Sequence, residues 1–167
     1  MKTKYTIERF VDTIDDLSMI PEKIADGIRK TVEDFAVRFE NLDDAKTSQK
    51  PRPDKWSRKE ILGHLIDSAA NNHQRFVRVQ YLKDLNLPPY DQIEWVKIQQ
   101  YNLRTWKELL SLWLSYNFHL AHIIKHMPID YLQTQLIIGS GEPVTIGYVV
   151  VDYLGHVQHH LRQIEHM

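Results

Sequence analysis

Apolar residues recur at spacings of three and four in four long segments of this chain, the period of an amphipathic α-helix. The segments cover residues 21–41, residues 57 to the prolines at 88 and 89, residues 105–127, and residue 145 almost to the end. We therefore predict four helices of about 20 residues each, separated by clear polar or proline-containing breaks.

Start signals support three of these helices. Ser57 with Glu60, and Thr105 with Glu108, have the Ser/Thr-x-x-Glu spacing of a capping box. In that motif the hydroxyl and the carboxylate each accept a backbone N–H at the start of a helix. Pro21 is a favourable residue for a first helical turn, so the first helix should begin near it.

The links between the helices are long. Residues 86–103 read as a connection with at most a short helix at 93–98, while the alternation in 132–138 and the turn at 139–141 indicate a small hairpin or extended excursion. We predict an all-α fold: a four-helix bundle with a long connection between helices 2 and 3 and a small extended excursion before the last helix. One domain should span residues 1–167.

Composition narrows the possible partners. The net charge is −1, from 21 basic and 22 acidic residues, so neither nucleic acid nor an anionic membrane is an expected partner. There is no cysteine, which excludes disulfides, thiolate zinc sites and cysteine nucleophiles. The N-terminus lacks an apolar signal segment, and the most apolar stretch, 146–154, is short and contains Asp152. We expect a soluble cytoplasmic protein.

Two histidines on the last helix are candidate metal ligands. His156 and His160 are one helical turn apart and lie at or inside the apolar arc, so that two imidazole nitrogens can converge on one ion. Asp152 and Gln163 lie on the same edge of that helix. Both could hydrogen-bond the ring nitrogens that face away from the ion.

A third histidine stands on the second helix. His64 lies at the border of the apolar face, with Asp67 one turn further on. Gly63 and Gly155 directly precede the first two histidines of the set; a glycine there weakens the helix but permits close approach or space for a ligand. Three neutral imidazoles leave a divalent ion one open position, as catalytic sites do. A His-x-x-x-His pair also arises by chance, and the residues alone leave both interpretations open.

The remaining histidines are predicted to lie away from this cluster, and those on the third helix to be solvated surface residues. His119, His122 and His126 lie away from the apolar stripe of the third helix, and His73 projects from the opposite side of the second helix. Three enzyme classes are excluded by the absence of their motifs: ferritin-like di-iron proteins, His-Glu-x-x-His zinc proteases, and P-loop or Gly-x-Gly-x-x-Gly nucleotide-binding proteins.

Two runs carry a family resemblance: Trp56-Ser57-x-x-Glu60-x-x-x-His64-x-x-Asp67 and His156-x-x-His159-His160-x-x-Gln163-Ile164. In this combination, and in helix pattern over essentially the whole chain, the sequence resembles the DinB/YfiT superfamily of small metalloproteins. The resemblance implies a bundle with crossover topology, a homodimer, and one divalent ion, zinc or nickel. On this chain the implied ligands are His64, His156 and His160, and His159 is not among them.

The same resemblance implies a metal-dependent thiol S-transferase that uses a low-molecular-weight thiol, such as bacillithiol or mycothiol, as cosubstrate. The alternatives are a metal-dependent hydrolase with a metal-activated water, and a non-catalytic bundle that binds a small ligand. A three-histidine metal suits both enzymes, because it lowers the pKa of either water or a thiol. A structural site would instead be closed by a fourth protein ligand, for which Asp67 and Asp152 are the candidates.

Binding residues beyond the ligands remain open at this stage, and no catalytic residue is assigned. Arg75 and Arg78 lie on the histidine side of the second helix and could hold a substrate carboxylate, or else be solvated arginines whose stems cover apolar surface. Tyr90, Trp95 and Tyr101 fall in the long connection, where binding residues are often carried on a rigid scaffold.

Overall fold

Four helices of 20 or 21 residues build the protein, seen here in a computed structural model that describes residues 20–82 and 85–167. In chain order the described α-helices are α1 (Ile20–Phe39), α2 (Asp44–Ser48), α3 (Arg58–Arg78), α4 (Gln92–Gln99), α5 (Trp106–Lys125) and α6 (Ile146–Glu165). The long helices α1, α3, α5 and α6 confirm the predicted four-helix bundle. The second of them, α3, ends at Arg78, well before the prolines that were expected to stop it.

The order of the helices around the bundle brings α3 beside α6. Helix α3 packs against α5 and α6, and α1 packs against the same two helices, so that α1 and α3 face each other across the bundle. The chain therefore crosses the bundle between its first two long helices. As a result the second and the last long helices, which carry the candidate ligands, become neighbours.

Both predicted capping boxes are present. Ser57 Oγ accepts the Glu60 N–H at 3.2 Å, and Glu60 Oε2 accepts the Ser57 N–H at 2.8 Å. Thr105 and Glu108 form the same pair of bonds before α5. Helix α6 begins after Thr145, whose hydroxyl accepts a backbone N–H of the first turn. These local bonds satisfy N–H groups that have no partner within a helix.

The long connection between α3 and α5 contains a strand, the helix α4 and a 3-10 turn at Tyr101–Leu103. The predicted excursion before α6 is a hairpin of β2 (Gln135–Ile138) and β3 (Val144–Thr145), which are antiparallel. The strand β1 (Leu85–Leu87) of the connection pairs in parallel with β2. This strand was not predicted, because its three residues gain their partner only from a distant part of the chain.

The core lies between the four helices, where the predicted apolar stripes meet. Its largest fully buried side chains are Trp106, Trp113, Tyr153, Phe76, Ile24, Ile28, Leu62, Leu65, Leu109, Leu120, Ile124 and Leu136. In residues 20–82 and 85–167, no helix combines the length and the apolar character needed to cross a bilayer.

Candidate metal centre

The three predicted ligands lie together between α3 and α6. His64 Nε2 and His156 Nε2 are 3.2 Å apart, and the ring centroid of His160 lies 4.8 Å from that of His64 and 4.5 Å from that of His156. One nitrogen from each of the three rings lies within 4.8 Å of the others. Two ligands of a tetrahedral ion with bonds of 2.0–2.1 Å are about 3.3 Å apart, so the spacing of the first two nitrogens fits a shared ion.

His64 is more deeply buried than the helical wheel predicted. Its side chain is only 1% exposed, although the sequence places it at the border of an apolar face. The reason is that α3 is covered on two sides, by the bundle and by the long connection. The indole of Trp56 also packs on the imidazole of His64, with ring centroids 5.1 Å apart.

The hydrogen bonds behind the ligands match the prediction in part. His160 Nδ1 lies 2.7 Å from Gln163 Oε1, as predicted, which leaves Nε2 of that ring to face the cluster. His156 Nδ1 faces Ser68 Oγ at 3.5 Å. The prediction that Asp152 would bond a ring nitrogen is wrong, because the His156 ring turns toward α3 while Asp152 stays exposed.

Burial keeps these imidazoles neutral at physiological pH. Burial, with a smaller contribution from the repulsion between protonated His64 and His160, lowers the pKa of His64 to about 4. Burial and the neighbouring histidines lower the pKa of His156 to about 3. The pKa of His160 is also lowered by burial, against the effect of its hydrogen bond with Gln163. Neutral imidazole is the form that ligates metals.

Tyr101, Gly63 and Asp67 form a clamp beside the centre. The sequence singled out each of the three residues but did not predict their contact. Tyr101 stands on Gly63, where a Cβ would lie 2.1 Å from its ring, and its hydroxyl donates to Asp67 Oδ1 at 2.6 Å. Gln99 donates to the same oxygen at 2.6 Å. The glycine permits close approach as expected, but the group that approaches is a ring from the 3-10 turn of the long connection and not another helix.

No carboxylate completes the ligand set among the described residues. The group close enough to share an ion consists of the three histidines alone, and the candidate fourth ligands Asp67 and Asp152 lie outside it. Asp67 Oδ1 instead accepts the bonds of the clamp, and Asp67 Oδ2 is buried without a partner. Among the described residues, therefore, no fourth protein ligand closes the centre.

The other candidate histidines lie elsewhere. His119 and His122 on α5 and His126, which directly follows it, are exposed, as predicted. His73 is half-buried and packs against His119 with ring centroids 5.0 Å apart. His159 is exposed on α6 and is not one of the three clustered rings.

A surface cleft of about 520 Å³ reaches the centre at His160. Trp56, Ile93 and Met167 give it apolar walls, and Lys55 lies on its rim. A small organic molecule can therefore approach the histidines from the side of Trp56, since clefts of this size suit small ligands.

Known proteins share this sequence pattern and fold. Over 125 residues the chain is 23% identical to a protein of Halalkalibacterium halodurans that carries the name "Putative metal-dependent hydrolase BH0277", covering 75% of this chain and 72% of that protein. The solved structure of YfiT from Bacillus subtilis, described as a probable metal-dependent hydrolase with an unusual four-helix bundle topology, matches with a TM-score of 0.79 at 17% identity. That match covers 87% of this chain and 84% of YfiT.

A mycothiol-dependent maleylpyruvate isomerase has the same fold, with a TM-score of 0.70 at 12% identity over 86% of this chain and 60% of the isomerase. The sequence model of the DinB superfamily matches residues 28–164, a range that contains all three clustered histidines. This chain therefore belongs to the DinB superfamily.

Proposed function

We propose that this protein is a metal-dependent enzyme in which His64, His156 and His160 hold one divalent ion, zinc or nickel. The observation that carries the proposal is the convergence of three neutral imidazoles from two helices, with no carboxylate among the described residues to complete the set. Such a ligand set leaves a coordination position for a small molecule. The bound ion would supply Lewis acidity, lowering the pKa of the water or thiol that occupies this position.

The surrounding side chains hold the imidazoles ready for that role. Gln163 accepts the Nδ1 proton of His160, which fixes the tautomer with a free lone pair on Nε2. Ser68 Oγ lies 3.5 Å from the Nδ1 atom of His156, and its hydroxyl can either donate to or accept from that atom. Trp56 covers one face of the His64 ring and excludes water from that side.

Transfer of a low-molecular-weight thiol is the reaction that we place first. The chain has no cysteine, so any sulfur nucleophile has to come from a cosubstrate. A structural relative with the same fold is mycothiol-dependent. The apolar cleft beside His160 would receive the electrophilic acceptor.

Hydrolysis is the second candidate, and the names of two relatives favour it. Both the Halalkalibacterium halodurans protein and YfiT are described as metal-dependent hydrolases. The same centre would serve with water in place of the thiol at the open position. A carboxylate general base is not evident among the clustered residues.

Metal content of untagged protein tests the centre. Mass spectrometry should find about one zinc or nickel ion per chain, and the H156A/H160A variant should lose it. The matched control is H122A/H126A, an exposed pair with the same spacing at the C-terminal end of α5, which should keep the metal. Absence of metal in the wild-type protein, even after incubation with zinc and nickel, would refute the proposal.

Activity then separates the two reactions. Metal-loaded protein should consume a thiol such as bacillithiol in the presence of electrophilic acceptors, and H156A/H160A should not. Cleavage of esters or amides without thiol consumption would favour the hydrolase instead.

We also propose, from the family resemblance, that the protein is a homodimer and that residues 1–167 form one domain. Sedimentation equilibrium and limited proteolysis test these two points.

A further inference from the structure

A strip of polar side chains continues from the histidine cluster along α3. Ser68 Oγ lies 3.5 Å from His156 Nδ1, and Asn72 Nδ2 lies 3.4 Å from Ser68 Oγ. Arg75 Nη1 donates to Asn72 Oδ1 at 3.1 Å. We call Ser68, Asn72 and Arg75 the polar strip; their spacing of three and four places them on one face of the helix.

Among the described residues, the guanidinium at the end of the strip has no carboxylate at ion-pair distance. Arg75 is half-buried, whereas Arg78 on the same helix is exposed. In residues 20–82 and 85–167, no carboxylate forms an ion pair with Arg75 within 4.0 Å. Asp152 on α6 acts on Arg75 electrostatically from beyond ion-pair distance, and burial raises the pKa of Asp152 despite this nearby guanidinium. A desolvated guanidinium without an ion pair is unfavourable unless an anion joins it.

The long connection covers the strip. Tyr90 lies close to Ser68, Asp67 and Arg75, and its ring packs on Trp95 with centroids 5.1 Å apart. Ser68 and Asn72 are buried, and Asn72 Nδ2 already donates to the Ser68 carbonyl oxygen at 2.9 Å. The half-buried guanidinium of Arg75 therefore has the spare donors of the strip, since it carries five N–H groups. Asp67 Oδ2 is a buried acceptor without a partner.

We infer that the polar strip recognises an anionic end of the substrate, with a carboxylate held by Arg75 while the other end of the molecule reaches the metal. Arg75 follows Ser68 by seven positions, about 10 Å along the helix axis. Arginine is suited to this role because its planar fork binds carboxylates through two parallel bonds. In the thiol transferase of the proposed function, on which this inference rests, the cosubstrate is then a small thiol whose carboxylate is carried on a chain on the order of 10 Å long, the rise from Ser68 to Arg75.

Two thiols that differ only in charge test the inference: 8-mercaptooctanoic acid and 8-mercaptooctan-1-ol. Both are titrated into cobalt-loaded protein, and the thiolate-to-cobalt absorption reports binding. We expect the acid to bind about tenfold more tightly than the alcohol, because one charge-assisted contact is worth at least that factor. R75A should remove the preference, and R75K should restore part of it.

Two further variants separate anion binding from a structural role. R78A, which removes an exposed arginine from the same helix, should leave the preference unchanged. D152N should leave it unchanged or enlarge it, because it removes the negative charge nearest to Arg75. Weaker binding of the acid in D152N would contradict the inference.

The titration distinguishes a failure of the proposed metal centre from a failure of anion recognition by the polar strip. If the protein does not bind cobalt, the metal centre is refuted and the inference with it. If it binds cobalt but neither thiol produces the absorption band, the thiol transferase and the inference are refuted while the metal centre stands. If both thiols bind with equal affinity, the metal centre stands and the anionic end is refuted. Far-ultraviolet circular dichroism of each variant establishes that it is folded.

Discussion

At Gly63 the absence of a side chain is what allows the long connection to close beside the histidine cluster. A Cβ at this position would lie 2.1 to 2.4 Å from three ring atoms of Tyr101, whose hydroxyl is bonded to Asp67. Sequence propensity predicts that alanine would strengthen α3 here, since glycine costs about 1 kcal/mol in a helix. The clash reverses that expectation.

We expect G63A to destabilise the protein by about 1–3 kcal/mol, because Tyr101 has to move and its bond to Asp67 is lost. Urea unfolding measures the change. The control is G27A in α1, where a Cβ would meet only the end of the Leu154 side chain at 3.1 Å, so that its effect should stay within about 1 kcal/mol. Equal effects of the two substitutions would contradict the role of the clamp.

Acid should weaken the metal-free protein from pH 6.5 downward. Burial lowers the pKa of His64 to about 4 and that of His156 to about 3, against about 6.5 in the unfolded chain. Between these values the unfolded chain binds protons that the folded chain does not, so unfolding becomes easier as the pH falls. Burial raises the pKa of Asp67, which acts with the opposite sign.

A comparison of H64Q with the wild type isolates the contribution of His64 to the pH dependence of stability. The urea midpoint of the metal-free protein, measured between pH 7.5 and 5, should fall less steeply in H64Q than in the wild type. An identical slope in both would show that the His64 imidazole does not resist protonation in the folded state.

At the scale of the element, the capping residue of α3 makes a bond outside its helix that the capping residue of α5 does not make, although both helices begin with the same capping box. Ser57 is fully buried, and its hydroxyl also donates to Asn102 Oδ1 at 2.7 Å, which ties α3 to the 3-10 turn. The Thr105 cap is exposed, and its hydroxyl bonds only within its own capping box among the described contacts.

Removal of the two caps should therefore have unequal effects. T105A should cost about 1 kcal/mol, the usual value for a helix cap. S57A should cost more, about 2 kcal/mol, because Asn102 also loses its buried partner. Chemical denaturation compares the two directly, and equal losses would mean that the bond from Ser57 to Asn102 does not contribute to stability.

On the scale of the whole molecule, the histidine cluster joins two helices that are far apart in sequence and adjacent in the bundle. An ion bound there would hold α3 to α6, and any ligand of the folded state stabilises it by mass action. Zinc or nickel at 1,000 times its dissociation constant should raise the free energy of unfolding by about 4 kcal/mol.

Thermal unfolding with and without the metal checks this expectation. The wild type and H122A/H126A should both show the rise in melting temperature, and H156A/H160A should not. A rise that persists in H156A/H160A would place the stabilising metal away from α6.

Much of this protein follows from the sequence itself. The four helices, both capping boxes, the excursion before the last helix and the surface position of His122 and His126 depend on periodicity and on bonds between residues a few positions apart. The i, i+4 pair of His156 and His160 is local in the same sense, because a single helix sets the distance between the two rings. Gln163 bonds His160 for that reason as well.

Only the tertiary structure decides what comes from distant parts of the chain. The crossover of the bundle places His64 beside His156, β1 finds β2, and Tyr101 settles on Gly63. The packing of α6 against α3 also turns the His156 ring toward Ser68 instead of Asp152. Spacing along a helix fixes which residues share a face, but which face meets which neighbour depends on burying the apolar stripes of all the helices at once.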